Sequence, residues 1–219
     1  MELKINKKPY SILNKRRFVL AAFNLAFISL FLERKIKINN KFIFWNDGII
    51  GSFFSNLKKI PGSDLITKII YNDTIEKICI IGNISKKSKK FLEKKSKKKI
   101  IVHNMPIANL NILKKKLPKI YTKNLYLITL PTPKQEQLAL YLSKNYSNHK
   151  IICIGGGLEI ASGFIKKCPN IMRKMGLEFI WRLKDDTFRR LFRLTYTSIM
   201  LTKNILNRKL KKYKLKIVS

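Results

Sequence analysis

An apolar run, Tyr126-Leu127-Ile128, leads directly into Thr129-Leu130-Pro131-Thr132-Pro133-Lys134-Gln135-Glu136, a charged, proline-fixed turn that opens a helix. Where a parallel strand ends in a helix N-terminus, free N–H groups meet anions beyond the carboxyl end of the strand. A phosphate-bearing ligand is therefore expected at this turn. Thr132 at N-cap, Pro133 at N1 and Gln135 at N3 fit a capping box, and capping alone accounts for Gln135. Lys134 does not fit so blandly: a cation in the first helical turn opposes the helix dipole, which points to an anion beside it.

Trp45-Asn46-Asp47-Gly48 sets a carboxylate at another strand end, a rigid position that suits a general base. Asp-Gly between apolar runs equally fits a hairpin turn. Pro61-Gly62-Ser63-Asp64 reads as a turn feeding a helix, with Ser63 as N-cap and Asp64 in the first turn. Gly62 there allows a ligand to approach the backbone. Gly155-Gly156-Gly157 follows Cys153-Ile154 and admits a diphosphate in the same way, although the dinucleotide pattern breaks at Ile160 and no Gly-Lys-Ser/Thr follows.

Metal chemistry has little support. His103 and His149 are isolated, and the adjacent acids Asp185-Asp186 read as a helix start. Neither a metal nor another cofactor is expected. Cys79, Cys153 and Cys168 form no CxxC pair; Cys79 and Cys153 lie in apolar runs as ordinary buried thiols, which fits a reducing compartment.

The elements that must position these residues follow from the apolar pattern. Phe42–Trp45, Ile78–Ile81, Ile100–Val102, Leu125–Ile128 and Ile151–Ile154 read as strands, and Ile66–Tyr71, Lys86–Lys97, Ala108–Lys116 and Pro133–Asn145 as helices. Strands alternating with helices predict an α/β fold: a mainly parallel, Rossmann-like sheet flanked by helices. Phe18 to Leu32 is a 15-residue apolar run behind a basic stretch, the profile of a signal peptide, but Asn24 and Ser29 interrupt it and no small-residue cleavage pattern follows. A buried helix is the preferred reading.

From about Pro169, apolar residues recur every three or four positions, with Arg182, Arg189, Arg190 and Arg193 between them. The chain thus divides into an α/β core, 1–168, and a basic amphipathic helical appendage, 169–219. Such a helix either packs on the core or lies in an anionic membrane surface, with arginines toward lipid phosphates. The net charge of +35 over 219 residues attracts polyanions in general.

In order along the chain, these pieces resemble the WecG/TagA/CpsF family of bacterial glycosyltransferases. The matching residues are Asn24 in an apolar first helix, Asp47-Gly48 with Gly51, Pro61-Gly62-Ser63-Asp64-Leu65, Pro133-Lys134-Gln135-Glu136, Gly155-Gly156, Gly163 with Pro169, and the run Gly176-Leu177-Glu178-Phe179-Ile180-Trp181-Arg182-Leu183. The resemblance implies transfer of an N-acetylmannosamine-type or related hexose from a UDP-sugar to a polyprenyl-diphosphate-linked acceptor. It implies inversion, no obligatory metal, and a peripheral location on the cytoplasmic face of the membrane in cell-surface polysaccharide or teichoic acid-type synthesis. Asp47 matches the family's base and Gln135 its nucleotide-sugar pocket, and Arg182 and Arg189 match arginines that complete the site when the tail meets the membrane. Asn24, Gly48, Lys59, Gly62, Asp64, Lys134, Glu136, Gly155 and Gly156 join them as expected substrate-binding residues.

Departures from the family pattern are Ala22 for a usual Thr, Lys59 for a usual Arg, Asp186-Thr187 for Glu-Pro, and Leu130-Pro131-Thr132 for a glycine-rich entry. Ala22 motivates one rival, a degenerate member that binds lipid-linked sugar without catalysis. The charge motivates another, a nucleic-acid-binding protein, but RNP aromatics, finger spacing and a recognition helix are missing, so no specific nucleic acid is expected. Homo-oligomerisation is compatible with all of these.

Overall fold

Short apolar runs form a single parallel sheet: β1 (Glu2–Asn6), β2 (Phe18–Phe23), β3 (Phe42–Asn46), β4 (Lys77–Ile81), β5 (Lys99–His103), β6 (Asn124–Ile128), β7 (Lys150–Cys153) and β8 (Lys214–Val218). Their order is β5-β4-β6-β7-β2-β3-β1-β8. The computed structural model describes residues 2–218 except 72, 74, 122, 123, 147, 148, 176 and 184–186, and leaves out the side chains at 174, 179, 182, 183, 187, 189, 190 and 210. The helices are α1 (Leu25–Leu32), α2 (Ile49–Ser55), α3 (Gly62–Ile69), α4 (Lys86–Ser96), α5 (Leu110–Lys115), α6 (Lys134–Asn145), α7 (Gly157–Ala161), α8 (Asn170–Lys174), α9 (Glu178–Leu183) and α10 (Thr187–Leu206). The expected α/β class with a helical C-terminal region is what the chain adopts.

Both faces of the sheet are covered. Val19, Ala21 and Phe23 of β2 join Phe27 and Phe31 of α1 and Leu138 and Leu142 of α6 on one face. Phe18, Leu20 and Ala22 join Trp45, Leu65 and Ile66 of α3, Leu92 of α4 and Leu158 of α7 on the other. Successive strand residues point to opposite faces, so a strand buried on both sides loses its polar alternation. That corrects the reading of Phe18 to Leu32 as one buried helix: the first six residues are β2, a central strand, and the last eight are α1. A fully apolar run carries no period to tell the two apart. Asn24 divides them, since its side chain accepts a hydrogen bond from Phe27 N at 3.1 Å as the N-cap of α1, and it is therefore not inside the helix.

Three local readings also shift. α3 starts at Gly62 immediately after Pro61, four residues earlier than expected, and Ser63 is inside it rather than capping it. α6 starts at Lys134 with Pro133 in the N-cap position, so Thr132 lies outside and the capping box does not form. The last described residues return to the sheet as β8, paired in parallel with β1 at Leu3↔Leu215 and Ile5↔Ile217, where helix had been expected.

The chain after residue 169 is held to the core at several points. Ser29 Oγ of α1 lies 2.7 Å from the Thr197 carbonyl oxygen of α10, and Asn204 Nδ2 donates to Glu33 Oε1 at 2.7 Å. The Tyr213 and Phe31 rings pack at 4.9 Å between centroids. Thr197, Leu201 and Asn204 are buried on the inner face of α10, while Phe188, Phe192, Ile199 and Leu206 are exposed on its outer face.

Candidate active site

Because β2 and β3 pair in parallel with Phe23 opposite Asn46, the next residues of each strand, Asn24 and Asp47, emerge side by side at the carboxyl edge of the sheet. Asn24 Nδ2 donates to Asp47 Oδ2 at 3.3 Å while its Oδ1 caps α1. The backbone of Asp47 is fixed as well, its N–H donating to Phe23 O at 3.3 Å. Gly48 has φ +90, a conformation that favours glycine, and turns the chain into α2. The Asp-Gly pair is thus a strand-to-helix turn, and the hairpin alternative is excluded. Gly51, in the first turn of α2, is pressed against β2 and β3: a Cβ there would overlap Phe23 O and Asn46 Oδ1.

A cavity of about 490 Å³ opens over this pair. Asn24, Asp47, Gly48 and Lys59 line it together with Glu178, and α10 closes one side with Arg193, Leu194, Thr197 and Ser198. Leu25, Ile49 and Ile50 give it an apolar wall. The α10 residues and Glu178 were not among the expected site residues. The amphipathic spacing of α10 was the available signal, but spacing does not tell which core residues a helix face will meet.

An ion-pair network sets the position of the Lys59 ammonium. Its Nζ lies 3.4 Å from Glu178 Oε2 and donates to Arg173 O at 3.1 Å, and Arg173 Nε reaches Glu178 Oε1 at 3.3 Å. Arg173 and Lys167 also pair with the two oxygens of Asp64. Burial pushes the Asp64 carboxyl upward, but hydrogen bonds from Lys167 and Arg173 prevail and hold it below the ordinary carboxylate range. Gly62 packs beside Trp45, Ile154 and Gly157, where α3 and α7 come close together.

Gln135, Glu136 and Gly155 form a second group at the ends of β6 and β7. Thr132 Oγ1 accepts from Gln135 Nε2 at 3.1 Å and donates to Glu136 Oε1 at 3.1 Å, and Gln135 Nε2 also donates to Glu136 Oε1 at 2.8 Å. Glu136 is fully buried, and burial pushes its carboxyl up to about 7. Gly155 has φ +52, and a Cβ there would lie 3.7 Å from Gln135 Oε1. Gly156 is exposed at the start of α7, and Lys134 is half-buried with no ion pair among the described residues.

The structure thus brings Asn24, Asp47, Gly48 and Lys59 together, and separately Gln135, Glu136 and Gly155. Arg182 lies in α9 and Arg189 in α10, with side chains outside the described residues, as are Asp185 and Asp186. Among the described residues no three His, Cys, Asp or Glu side chains converge as metal ligands. β7 and β2 are neighbours whose following helices, α7 and α1, leave toward opposite faces. In open α/β sheets the carboxyl end of such a strand pair is the usual ligand position, and here it lies between the two groups.

A family model described as glycosyl transferase WecG/TagA/CpsF family matches residues 39–215. Among curated proteins, the N-acetylglucosaminyldiphosphoundecaprenol N-acetyl-beta-D-mannosaminyltransferases of Staphylococcus aureus strains NCTC 8325 and COL are each 30% identical over 97 residues. The matched stretch covers 44% of this chain and 38% of each relative.

Proposed function

The chain belongs to the WecG/TagA/CpsF family of glycosyltransferases, and from that premise we propose that it moves an N-acetylmannosamine-type hexose from a UDP-sugar to a polyprenyl-diphosphate-linked N-acetylglucosamine. The observation that carries the reading is the Asp47 carboxylate, fixed by the end of β3 and oriented by Asn24, on the floor of a cavity large enough for two sugar rings. Asp47 takes the proton from the acceptor hydroxyl as that oxygen attacks the anomeric carbon, and UDP leaves from the opposite face, so the configuration inverts.

Strand spacing supports the placement of the donor. β6 and β3 are three positions apart in the sheet, roughly 15 Å, about the length of a nucleoside diphosphate. The uridine end then lies by Gln135 and Gly155, the diphosphate crosses the carboxyl ends of β7 and β2, and the sugar reaches Asp47. Lys134, backbone N–H groups and the arginines Arg182, Arg189 and Arg193 meet the charge of the leaving diphosphate without an obligatory metal. Lys59 helps to shape the sugar end.

The acceptor's lipid places the enzyme at the inner face of the membrane, held there by residues 169–219. No described helix is long and apolar enough to cross a membrane. The outer face of α10 exposes Phe188, Phe192, Ile199 and Leu206, the apolar side that an interfacial helix needs. Replacing Asp47 by Asn tests the base: turnover is expected to fall by about 10²- to 10⁴-fold. Near-full turnover would remove Asp47 from that role.

A further inference from the structure

We propose that Glu136 is a positioning residue: it holds the Gln135 side-chain amide with its carbonyl oxygen toward the Gly155 loop, so that the site takes a ligand N–H there and prefers uracil to cytosine. The proposal deepens the UDP-sugar reading and rests on it.

The two ends of a glutamine amide have nearly the same shape, and their partners decide which way it faces. Gln135 Nε2 lies 2.8 Å from Glu136 Oε1 and 3.1 Å from Thr132 Oγ1, while Thr132 Oγ1 donates to the same Glu136 oxygen. The hydroxyl hydrogen is thereby committed to Glu136, so Thr132 presents a lone pair to Gln135. Turning the amide round would set its carbonyl oxygen against a carboxyl oxygen and that lone pair. The carbonyl oxygen is therefore directed the other way.

There Gln135 Oε1 is buried and has no hydrogen-bond partner among the described residues. Its neighbour is Gly155, where an added Cβ would lie 3.7 Å from that oxygen. A buried acceptor without a donor carries a free-energy penalty that a ligand N–H relieves. Uracil carries a ring N–H between two carbonyls and meets that need. In the same pose cytosine sets a ring-nitrogen lone pair against Oε1, acceptor against acceptor. Sites built to hydrogen-bond a group discriminate strongly against analogues that lack it.

Calorimetric titration of UDP and CDP into the wild type, Glu136→Gln, Glu136→Met and Thr132→Val tests this, with melting temperature measured in parallel. The wild type is expected to prefer UDP, and Glu136→Gln to keep that preference because its amide oxygen still accepts from Gln135. Glu136→Met frees the amide to turn, so UDP binding should weaken about tenfold and the UDP-to-CDP ratio should narrow. Thr132→Val should move both in the same direction by less, and it carries the test if Glu136→Met does not fold. A purely structural role would lower the melting temperature and weaken both nucleotides equally. An unchanged UDP-to-CDP ratio in the variants overturns the proposal and leaves the UDP-sugar reading standing, whereas a wild type that binds no UDP overturns both.

Discussion

Asn24 serves two neighbours at once, capping α1 with its oxygen and orienting Asp47 with its nitrogen. Replacing it by Asp keeps a good capping residue but sets a second carboxylate beside the first. Like charges raise the pKa of the pair, so the acid limb of the pH–rate profile should move up by about a unit or more, while a profile unchanged in Asn24→Asp would separate Asn24 from the base. Glu136 offers a second test. Its folded pKa, about 7, lies above the ordinary glutamate value, so the folded state keeps a proton that the unfolded chain has lost. Its contribution is full below the unfolded pKa and is lost as pH rises from about 4.5 to about 7, roughly 3 kcal/mol in all. Glu136→Gln lacks that loss, so its melting temperature should gain on the wild type between pH 5 and pH 8; parallel curves would show that Glu136 is ionised throughout. The strand-end position of Asp47 was legible in the sequence, but a hairpin turn fitted Asp-Gly equally well, and only the start of α2 after Gly48 decides between them. The second function of Asn24 was not legible, because its partner comes from another strand.

At the scale of elements, the strands from β3 to β7 and their alternation with helices were legible from composition, whereas β1 and α2 were not read. β2 was hidden because burial on both faces erased its period, and β8 because its lysines read as a continuation of the basic helix. β8 is an edge strand, where charged side chains are at home. The tight contact of α2 with the sheet was equally invisible, since Gly51 reveals its purpose only when Phe23 O and Asn46 Oδ1 are seen against it. Gly51→Ala should therefore destabilise the fold by about 1–3 kcal/mol, the usual cost of overpacking, measured by chemical denaturation. A neutral effect would mean that α2 shifts freely on the ends of β2 and β3.

At the scale of the whole molecule, the proposed membrane contact rests on the net charge of +35 and on the exposed apolar face of α10. Phe188, Phe192 and Ile199 are more than half exposed, at 87%, 66% and 68%, on the helix that also closes the cavity over Asp47. Substituting the three by Ser should weaken binding to anionic vesicles at physiological salt while leaving the melting temperature nearly unchanged. Equal vesicle binding would locate the membrane contact elsewhere. β8 and the Asn204–Glu33 hydrogen bond hold the far end of α10 to the core. Sugar transfer from a nucleotide donor with Asp47 as base can be read by mass spectrometry of one reaction. The full chain is mixed with a panel of UDP-sugars and a short-chain lipid-diphosphate N-acetylglucosamine, with and without chelator, beside Asp47→Asn. The expected product is an acceptor heavier by one hexose-type sugar, unchanged by chelator and almost absent with Asp47→Asn; no product from any donor would rule out the transfer, and equal product from the variant would rule out Asp47 as its base.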